Sequence, residues 1–169
     1  MDIEHQIQEY GLPTAGHIED GTSDGLVELG EGNFKYTVSG DNWGILPDGW
    51  VYREATAVAV DQQDRIYVFN RGTCPMLVFD TEGNLADSWG QGIFKSPHGL
   101  SVTPDGNLFC VDNGDSTVRL FTPAGKLLMT LGEANEPAPR MSSRPFSRPT
   151  HVAVDPITGN FYVSDGYSN

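Results

Sequence analysis

Two stretches of the sequence decide the fold: residues 56–90, TAVAVDQQDRIYVFNRGTCPMLVFDTEGNLADSWG, and residues 98–132, HGLSVTPDGNLFCVDNGDSTVRLFTPAGKLLMTLG. They align without a gap at an offset of 42 residues, so that hydrophobic positions and turn glycines coincide. A third copy begins at Thr150 with THVAVDPITGNFYVSDGYSN. Self-similarity at a fixed period indicates an array of equivalent structural units.

Each repeat is predicted to contain four short strands, named a to d in chain order. In the first repeat they are Val58–Val60, Arg65–Phe69, Met76–Phe79 and Leu85–Trp89. Turn residues separate runs that alternate with period two, which is typical of successive antiparallel strands. Repeats of about 40 residues with four strands each indicate the blades of a β-propeller. The sequence therefore predicts an all-β fold of the propeller class.

The remaining segments are assigned by their relation to the repeats. Residues 1–32 are acidic, lack periodicity and are predicted to form a flexible arm. Residues 33–44 end in Trp-Gly, as blade 1 does, and are predicted to form an outer strand that closes the last blade of a ring. The other predicted parts are blade 1 (56–90), blade 2 (98–132), an insertion loop (133–144) and the start of blade 3 (150–169).

The two and a half predicted blades plus one outer strand are fewer than a closed ring requires. A propeller ring has at least four blades. We therefore expect the chain to be part of a longer protein, or to associate with a second copy or with the missing half through its open sheet edges. The two tryptophans at the blade ends, Trp43 and Trp89, are predicted to pack there.

Charge and composition limit the partners. The chain of 169 residues has 23 Asp and Glu against 10 Lys and Arg, a net charge of −13. Such a field repels polyanions, which argues against nucleic acid and anionic membranes as partners. No apolar run reaches membrane-spanning length, the N-terminus lacks a signal-peptide pattern, and the two cysteines occupy different repeat positions. We expect a cytoplasmic protein without a disulfide that binds a small molecule or peptide.

One face of the predicted blades carries residues that do not repeat. The start of strand a and the b–c turn lie on this face because strands a and b run in opposite directions, and we call the face the mouth. Six candidates lie there: Arg71, His98, Asp112, Asn113, Asp165 and Tyr167. Arg71 aligns with Asn113 and Gly166, although the flanking positions are similar. This contrast within one chain predicts a functional site.

Each mouth residue has a chemical and a structural interpretation. The imidazole of His98 could bind a metal or form backbone hydrogen bonds in the channel. Arg71 could bind a carboxylate or form a surface ion pair. Tyr167 could exchange a proton with a substrate or pack at a blade end. Asp112 and Asp165 could be ligands or could accept hydrogen bonds from turn amides.

The same positions carry a resemblance to a known family. The stretches Tyr67–Gly72 (YVFNRG), Pro97–Leu100 (PHGL), Arg148–Asp155 (RPTHVAVD) and Val163–Asn169 (VSDGYSN) resemble NHL repeats. More narrowly, they resemble peptidyl-α-hydroxyglycine α-amidating lyase, its bacterial relatives in particular. The similarity covers residues 33–169 and corresponds to the N-terminal half of the family's six-bladed ring.

This resemblance implies an enzyme that cleaves a peptidyl-α-hydroxyglycine into a peptide amide and glyoxylate. It implies a zinc held by three histidines, of which His98 matches the first, and a structural calcium contacted by the backbone carbonyls of Val58 and Leu100. It further implies that Arg71 binds the substrate and that Tyr167 is the catalytic base. The other two zinc histidines would follow the C-terminus of this chain, so we expect the chain alone to be inactive.

Two other functions remain open from the sequence. The first is a non-catalytic NHL scaffold that binds a protein or peptide at the mouth. The second is a calcium-dependent, lactonase-like hydrolase, which requires acidic and asparagine side chains to converge in the channel. For that role the sequence offers Asp112, Asn113 and Asp165.

Overall fold

The computed structural model describes residues 27–38 and 43–167, and the chain divides into two compact units between Asp41 and Asn42. Within these described ranges every regular element is a β-strand. The first unit contains β1 (Val27–Glu31) and β2 (Phe34–Val38). The second unit contains β3 (Ala55–Val60), β4 (Ile66–Asn70), β5 (Met76–Phe79), β6 (Leu85–Trp89), β7 (Pro97–Val102), β8 (Leu108–Asp112), β9 (Thr117–Phe121), β10 (Leu127–Leu131), β11 (His151–Val154) and β12 (Phe161–Ser164).

The second unit consists of repeated antiparallel sheets. Strands β3–β4–β5–β6 form one four-stranded sheet and β7–β8–β9–β10 form another, each with its strands in chain order. Strands β11 and β12 form a third, two-stranded sheet. The predicted all-β fold with propeller-type blades is confirmed, and the sheets are called blade 1, blade 2 and the β11–β12 pair. In the part of the chain that the structure describes, no helix is long and apolar enough to cross a membrane.

Hydrophobic residues on both faces of the middle strands hold the sheets together. All of β5 and most of β4 are buried, so alternate residues pack on opposite sides of blade 1. One face meets blade 2 in a cluster formed by Tyr67, Phe69, Met76, Val78, Trp89, Leu100, Leu108, Cys110 and Phe121. The opposite face of blade 2 packs against the β11–β12 pair through Phe109, Val111, Val118 and Val152. Each blade is therefore stabilised by its neighbours.

Two tryptophan side chains bond to the c–d turns of blades 1 and 2. The indole N–H of Trp89, at the end of β6, donates to the carbonyl of Pro123 in blade 2 at 3.2 Å. Gly125 of that turn has φ +76°, and a Cβ there would lie 2.8 Å from the indole. Trp43 makes the equivalent bond to the carbonyl of Thr81 in blade 1 at 3.1 Å. The predicted packing of Trp89 at a blade end is thus observed, and Trp43 packs on the c–d turn of blade 1.

The first unit is a hairpin in which β1 pairs antiparallel with β2. The predicted flexible arm extended to residue 32, whereas residues 27–31 form a strand; residues 1–26 lie outside the described residues. The two-residue turn at Gly32 and Asn33 is of a kind that favours hairpins, and it is the signal that indicates the additional strand. A closing role for residues 33–44 stays a prediction.

Candidate functional site

Three of the predicted site residues lie at one face of the second unit. Arg71 follows β4, His98 is in β7, and Tyr167 comes three residues after β12. The Nε of Arg71 donates to the carbonyl oxygen of Pro97 at 3.3 Å. The Nε2 of His98 lies 3.2 Å from the hydroxyl oxygen of Tyr167. The structure therefore brings together side chains that are far apart in the sequence.

The position of His98 depends on a close approach between β7 and β11. A Cβ on the next residue, Gly99, would lie 2.4 Å from the carbonyl oxygen of Thr150, so a larger residue would force the strands apart. This approach places the Nδ1 of His98 2.8 Å from the same oxygen. A carbonyl only accepts hydrogen bonds, so Nδ1 carries a proton. In the neutral imidazole, Nε2 then accepts the hydrogen bond from Tyr167.

Two side chains hold the ring of Tyr167, although 58% of this residue is exposed. Its ring centroid is 5.6 Å from that of His98, and the ring planes meet at 73°. The guanidinium carbon of Arg148 lies 5.4 Å from the phenol centroid, in a cation–π contact. Arg148 was not among the residues predicted for the mouth. Its repeat equivalents, Ser96 and Glu54, are not basic, which is the signal that could have identified it.

Asp112 supports the polypeptide just before His98. Its side chain is fully buried and accepts hydrogen bonds from the backbone amides of Lys95 at 2.6 Å, Ser96 at 2.8 Å and Gly114 at 2.9 Å. The carboxylate thus joins the b–c turn of blade 2 to the segment that enters β7.

Asp165 and Asn113 also contact backbone groups. Both carboxylate oxygens of Asp165 accept from the amide of Ser147, each at 2.8 Å, at the repeat position of Asp112. The backbone amide of Asn113, a buried residue, donates to the carbonyl of Ser96 at 3.1 Å. These contacts place the three predicted supporting residues in the loops around the mouth.

The two predicted calcium contacts occupy equivalent positions on the first strands of their blades. Val58 of β3 pairs with Val68 and is 59% exposed, whereas Leu100 of β7 pairs with Cys110 and is 3% exposed. Calcium binding by their carbonyls stays a prediction.

The described residues do not fit a complete zinc site. Catalytic zinc takes three protein ligands. Among residues 27–38 and 43–167, no three His, Cys, Asp or Glu side chains come together in a way that could hold a metal. His98 supplies one nitrogen, Nε2, and that nitrogen already accepts a hydrogen bond from Tyr167.

The fold and this arrangement define an all-β protein with propeller-type blades and an Arg–His–Tyr cluster at one face. No family model matches the chain. Curated proteins do match it. Peptidyl-glycine alpha-amidating monooxygenase B of Xenopus laevis is 40% identical over 114 residues, which are 63% of this chain and 13% of the relative. Peptidyl-alpha-hydroxyglycine alpha-amidating lyase 1 of Drosophila melanogaster is 41% identical over 90 residues, 52% of this chain and 16% of the relative.

A third relative matches more of the chain. Peptidyl-alpha-hydroxyglycine alpha-amidating lyase 2 of Drosophila melanogaster is 29% identical over 156 residues, 74% of this chain and 38% of the relative. The predicted resemblance to these lyases is confirmed, and the chain spans less than half the length of the relatives it matches. Among solved structures, virginiamycin B lyase from Staphylococcus aureus superimposes with a TM-score of 0.48 at 12% identity, covering 64% of this chain and 33% of that one.

Proposed function

We propose that this chain contributes Arg71, His98 and Tyr167 to the active site of a lyase that cleaves a peptidyl- or acyl-α-hydroxyglycine into an amide and glyoxylate. The observation that carries the proposal is the hydrogen bond between Nε2 of His98 and the hydroxyl of Tyr167, at the face where Arg71 also lies. The names of the relatives supply the reaction class.

The His98–Tyr167 pair can move the protons that this reaction requires. When the phenol proton passes to Nε2 of His98, the phenolate of Tyr167 accepts the proton of the substrate hydroxyl. The carbon that bears the hydroxyl becomes the aldehyde carbon of glyoxylate. The C–N bond breaks with its electron pair on nitrogen, and the amide nitrogen takes the proton from Nε2. The bond from Nδ1 to the carbonyl of Thr150 keeps the ring oriented throughout.

Arg71 is the substrate-binding residue in this proposal. Its Nε is fixed by the carbonyl of Pro97, and within the described residues the guanidinium forms no ion pair. The terminal N–H groups can therefore bind the carboxylate of the hydroxyglycine in a two-point contact.

Zinc and calcium remain part of the proposal because the resemblance implies them. Zinc would need Nε2 of His98 together with ligands outside the described residues. A metal at Nε2 would replace the hydrogen bond from Tyr167, so the metal-bound and hydrogen-bonded arrangements are alternatives. No step above is assigned to a metal, and the metal dependence of the activity separates the two arrangements.

The test measures glyoxylate release from α-hydroxyhippurate, with and without zinc. Because the chain spans a small part of its relatives, both the 169-residue chain and the complete reading frame that encodes it are assayed. Tyr167→Phe is expected to lower kcat by about 10²- to 10⁴-fold, and Arg71→Met to raise KM. Lys126→Met, on the c–d turn of blade 2, is the control for a lost positive charge. No glyoxylate under any metal condition would reject the lyase.

The same variants address the non-catalytic scaffold. If the protein retains a peptide at the mouth but releases no glyoxylate, and Arg71→Ala abolishes that retention, the scaffold hypothesis is supported instead. The lactonase-like alternative predicts convergence of Asp112, Asn113 and Asp165. In the structure Asp112 and Asn113 both contact the segment before β7, whereas Asp165 contacts Ser147 in the connection to β11, and no observation favours that function.

A further inference from the structure

A cleft of about 370 Å³ lies between blade 2 and the connection from β10 to β11, residues 132–150. Its lining includes Asn113 and Ser116 from the b–c turn of blade 2, and Pro137, Ala138, Arg140 and Arg148 from the connection. Arg148 also contacts the ring of Tyr167, so the cleft adjoins the candidate site.

Specific hydrogen bonds shape the cleft. The amide of Ala138 donates to the carbonyl of Phe146 at 2.8 Å, which closes the base of the connection. The amide of Arg148 donates to the hydroxyl of Ser116 at 3.2 Å, and Ser116 is 3% exposed. Arg148 has φ +64°, a left-handed conformation that costs free energy for a residue with a side chain. The backbone is therefore held in an unfavourable conformation at the residue that joins the cleft to Tyr167.

The charged side chains among the described residues that line the cleft are positive, although the chain as a whole is acidic. The net charge of the whole sequence is −13, yet among the described lining residues the ionisable side chains are those of Arg140 and Arg148. Neither forms an ion pair with any described residue. The hydroxyl of Ser116 and the side-chain amide of Asn113 can add neutral hydrogen-bond donors, and none of the described residues that line the cleft has a carboxylate side chain. This chemistry suits an anion.

We propose that the cleft binds a carboxylate on the acyl part of the molecule that occupies the mouth, such as the acidic side chain of a peptide. Planar guanidinium groups match a carboxylate in geometry and charge. Arg148 contacts the ring of Tyr167, so an anion bound to Arg148 would hold the substrate close to Tyr167. This favours a defined orientation of the hydroxyglycine end of the substrate. This inference rests on the proposed function in one respect, which is that the substrate binds at the mouth.

The test compares the binding of N-acetyl-Glu-Gly and N-acetyl-Gln-Gly to the full chain by calorimetry. The two peptides differ in one charge. Two solvent-exposed arginines are expected to give the Glu peptide about a fivefold advantage, which decreases as salt is added. The advantage is expected to fall in Arg148→Met and in Arg140→Met, and to persist in Lys126→Met. In NMR spectra, the amides of Ala138 and Ser116 should shift with the Glu peptide.

Three results would overturn the proposal: equal affinity for both peptides, an advantage that survives in the Arg140→Met, Arg148→Met double variant, or no binding of either peptide at millimolar concentration. Arg140 is exposed, so its variant keeps the test decisive if Arg148→Met unfolds the protein. A preference for the Glu peptide without glyoxylate release would support anion binding in the cleft and reject the lyase activity. Glyoxylate release without a preference for the Glu peptide would support the lyase activity and reject anion binding in the cleft.

Discussion

Replacing Asp112 by Asn should destabilise the second unit strongly, because both oxygens of this buried carboxylate have partners. Oδ1 accepts from the amides of Ser96 and Gly114, and an asparagine oxygen could keep those bonds. Oδ2 accepts from the amide of Lys95 and lies 3.7 Å from Nη1 of Arg119. An amide NH₂ in place of Oδ2 would face two donors.

The magnitude follows from those two contacts. Losing the acceptor of the partly exposed Lys95 amide costs about 1 kcal/mol. Arg119 is buried, and its Nη1 has no hydrogen-bond partner within the described residues, so losing the facing carboxylate costs about 2 kcal/mol more. The free energy of unfolding should therefore fall by about 3 kcal/mol, a large part of the 5–15 kcal/mol typical of a domain.

Urea unfolding followed by tryptophan fluorescence measures this loss, because all three tryptophans belong to the second unit. Asp105→Asn is the matched control. Asp105 is an exposed carboxylate on a turn of blade 2, and its replacement should cost less than about 1 kcal/mol. Equal losses for the two variants, at equal m-values, would refute the assignment of Asp112 as a buried support of the mouth.

Three further predictions concern other contacts of the second unit. Gly99→Ala should lower the free energy of unfolding by about 1–3 kcal/mol, because the added Cβ meets the carbonyl of Thr150 at 2.4 Å; an unchanged urea midpoint would contradict this. Burial, with a hydrogen bond to a carboxylate, raises the pKa of Tyr67 to about 12. The unfolded phenol ionises near 10, so stability from the neutral phenol should be complete below pH 10 and lost as the pH rises towards 12, and Tyr67→Phe should flatten that part of the stability profile. Cys74 and Cys110 are free, buried thiols, and burial raises the pKa of Cys110, so neither should react with a thiol reagent until urea unfolds the protein; labelling of Cys110 faster than unfolding would argue against its burial.

The blades could be predicted from the sequence because the same pattern occurs more than once. Alternation alone does not distinguish a short buried strand such as β5 from other apolar runs, but the alignment of two copies does. The hairpin of β1 and β2 was not predicted, because its first strand lacks such a second copy. Val27–Glu31 has no second copy in the array, and its pairing depends on a turn of only two residues.

The mouth was predicted in part. Antiparallel topology was sufficient to expect Arg71, His98 and Tyr167 at one face, and the contacts of His98 and Arg71 agree with that expectation. The carbonyl of Thr150 was not predicted as a partner, because any residue type presents a carbonyl. Arg148 differs from its repeat equivalents Ser96 and Glu54, but its contact with Tyr167 also involves a left-handed backbone angle that the alignment of repeats does not reveal.

The indole contacts of Trp43 and Trp89 have a consequence for how cooperativity is distributed along the chain. Trp89 belongs to blade 1 and bonds to a turn of blade 2, so the stability of each of these blades includes a coupling term shared with its neighbour; Trp43 similarly joins the segment before blade 1 to a turn of that blade. A substitution in the turn at Pro123 is therefore expected to affect blades 1 and 2 and to have little effect beyond them. The stability of the second unit is then the sum of the stabilities of its sheets and of the interfaces between neighbouring sheets, and unfolding begins at the least stable interface.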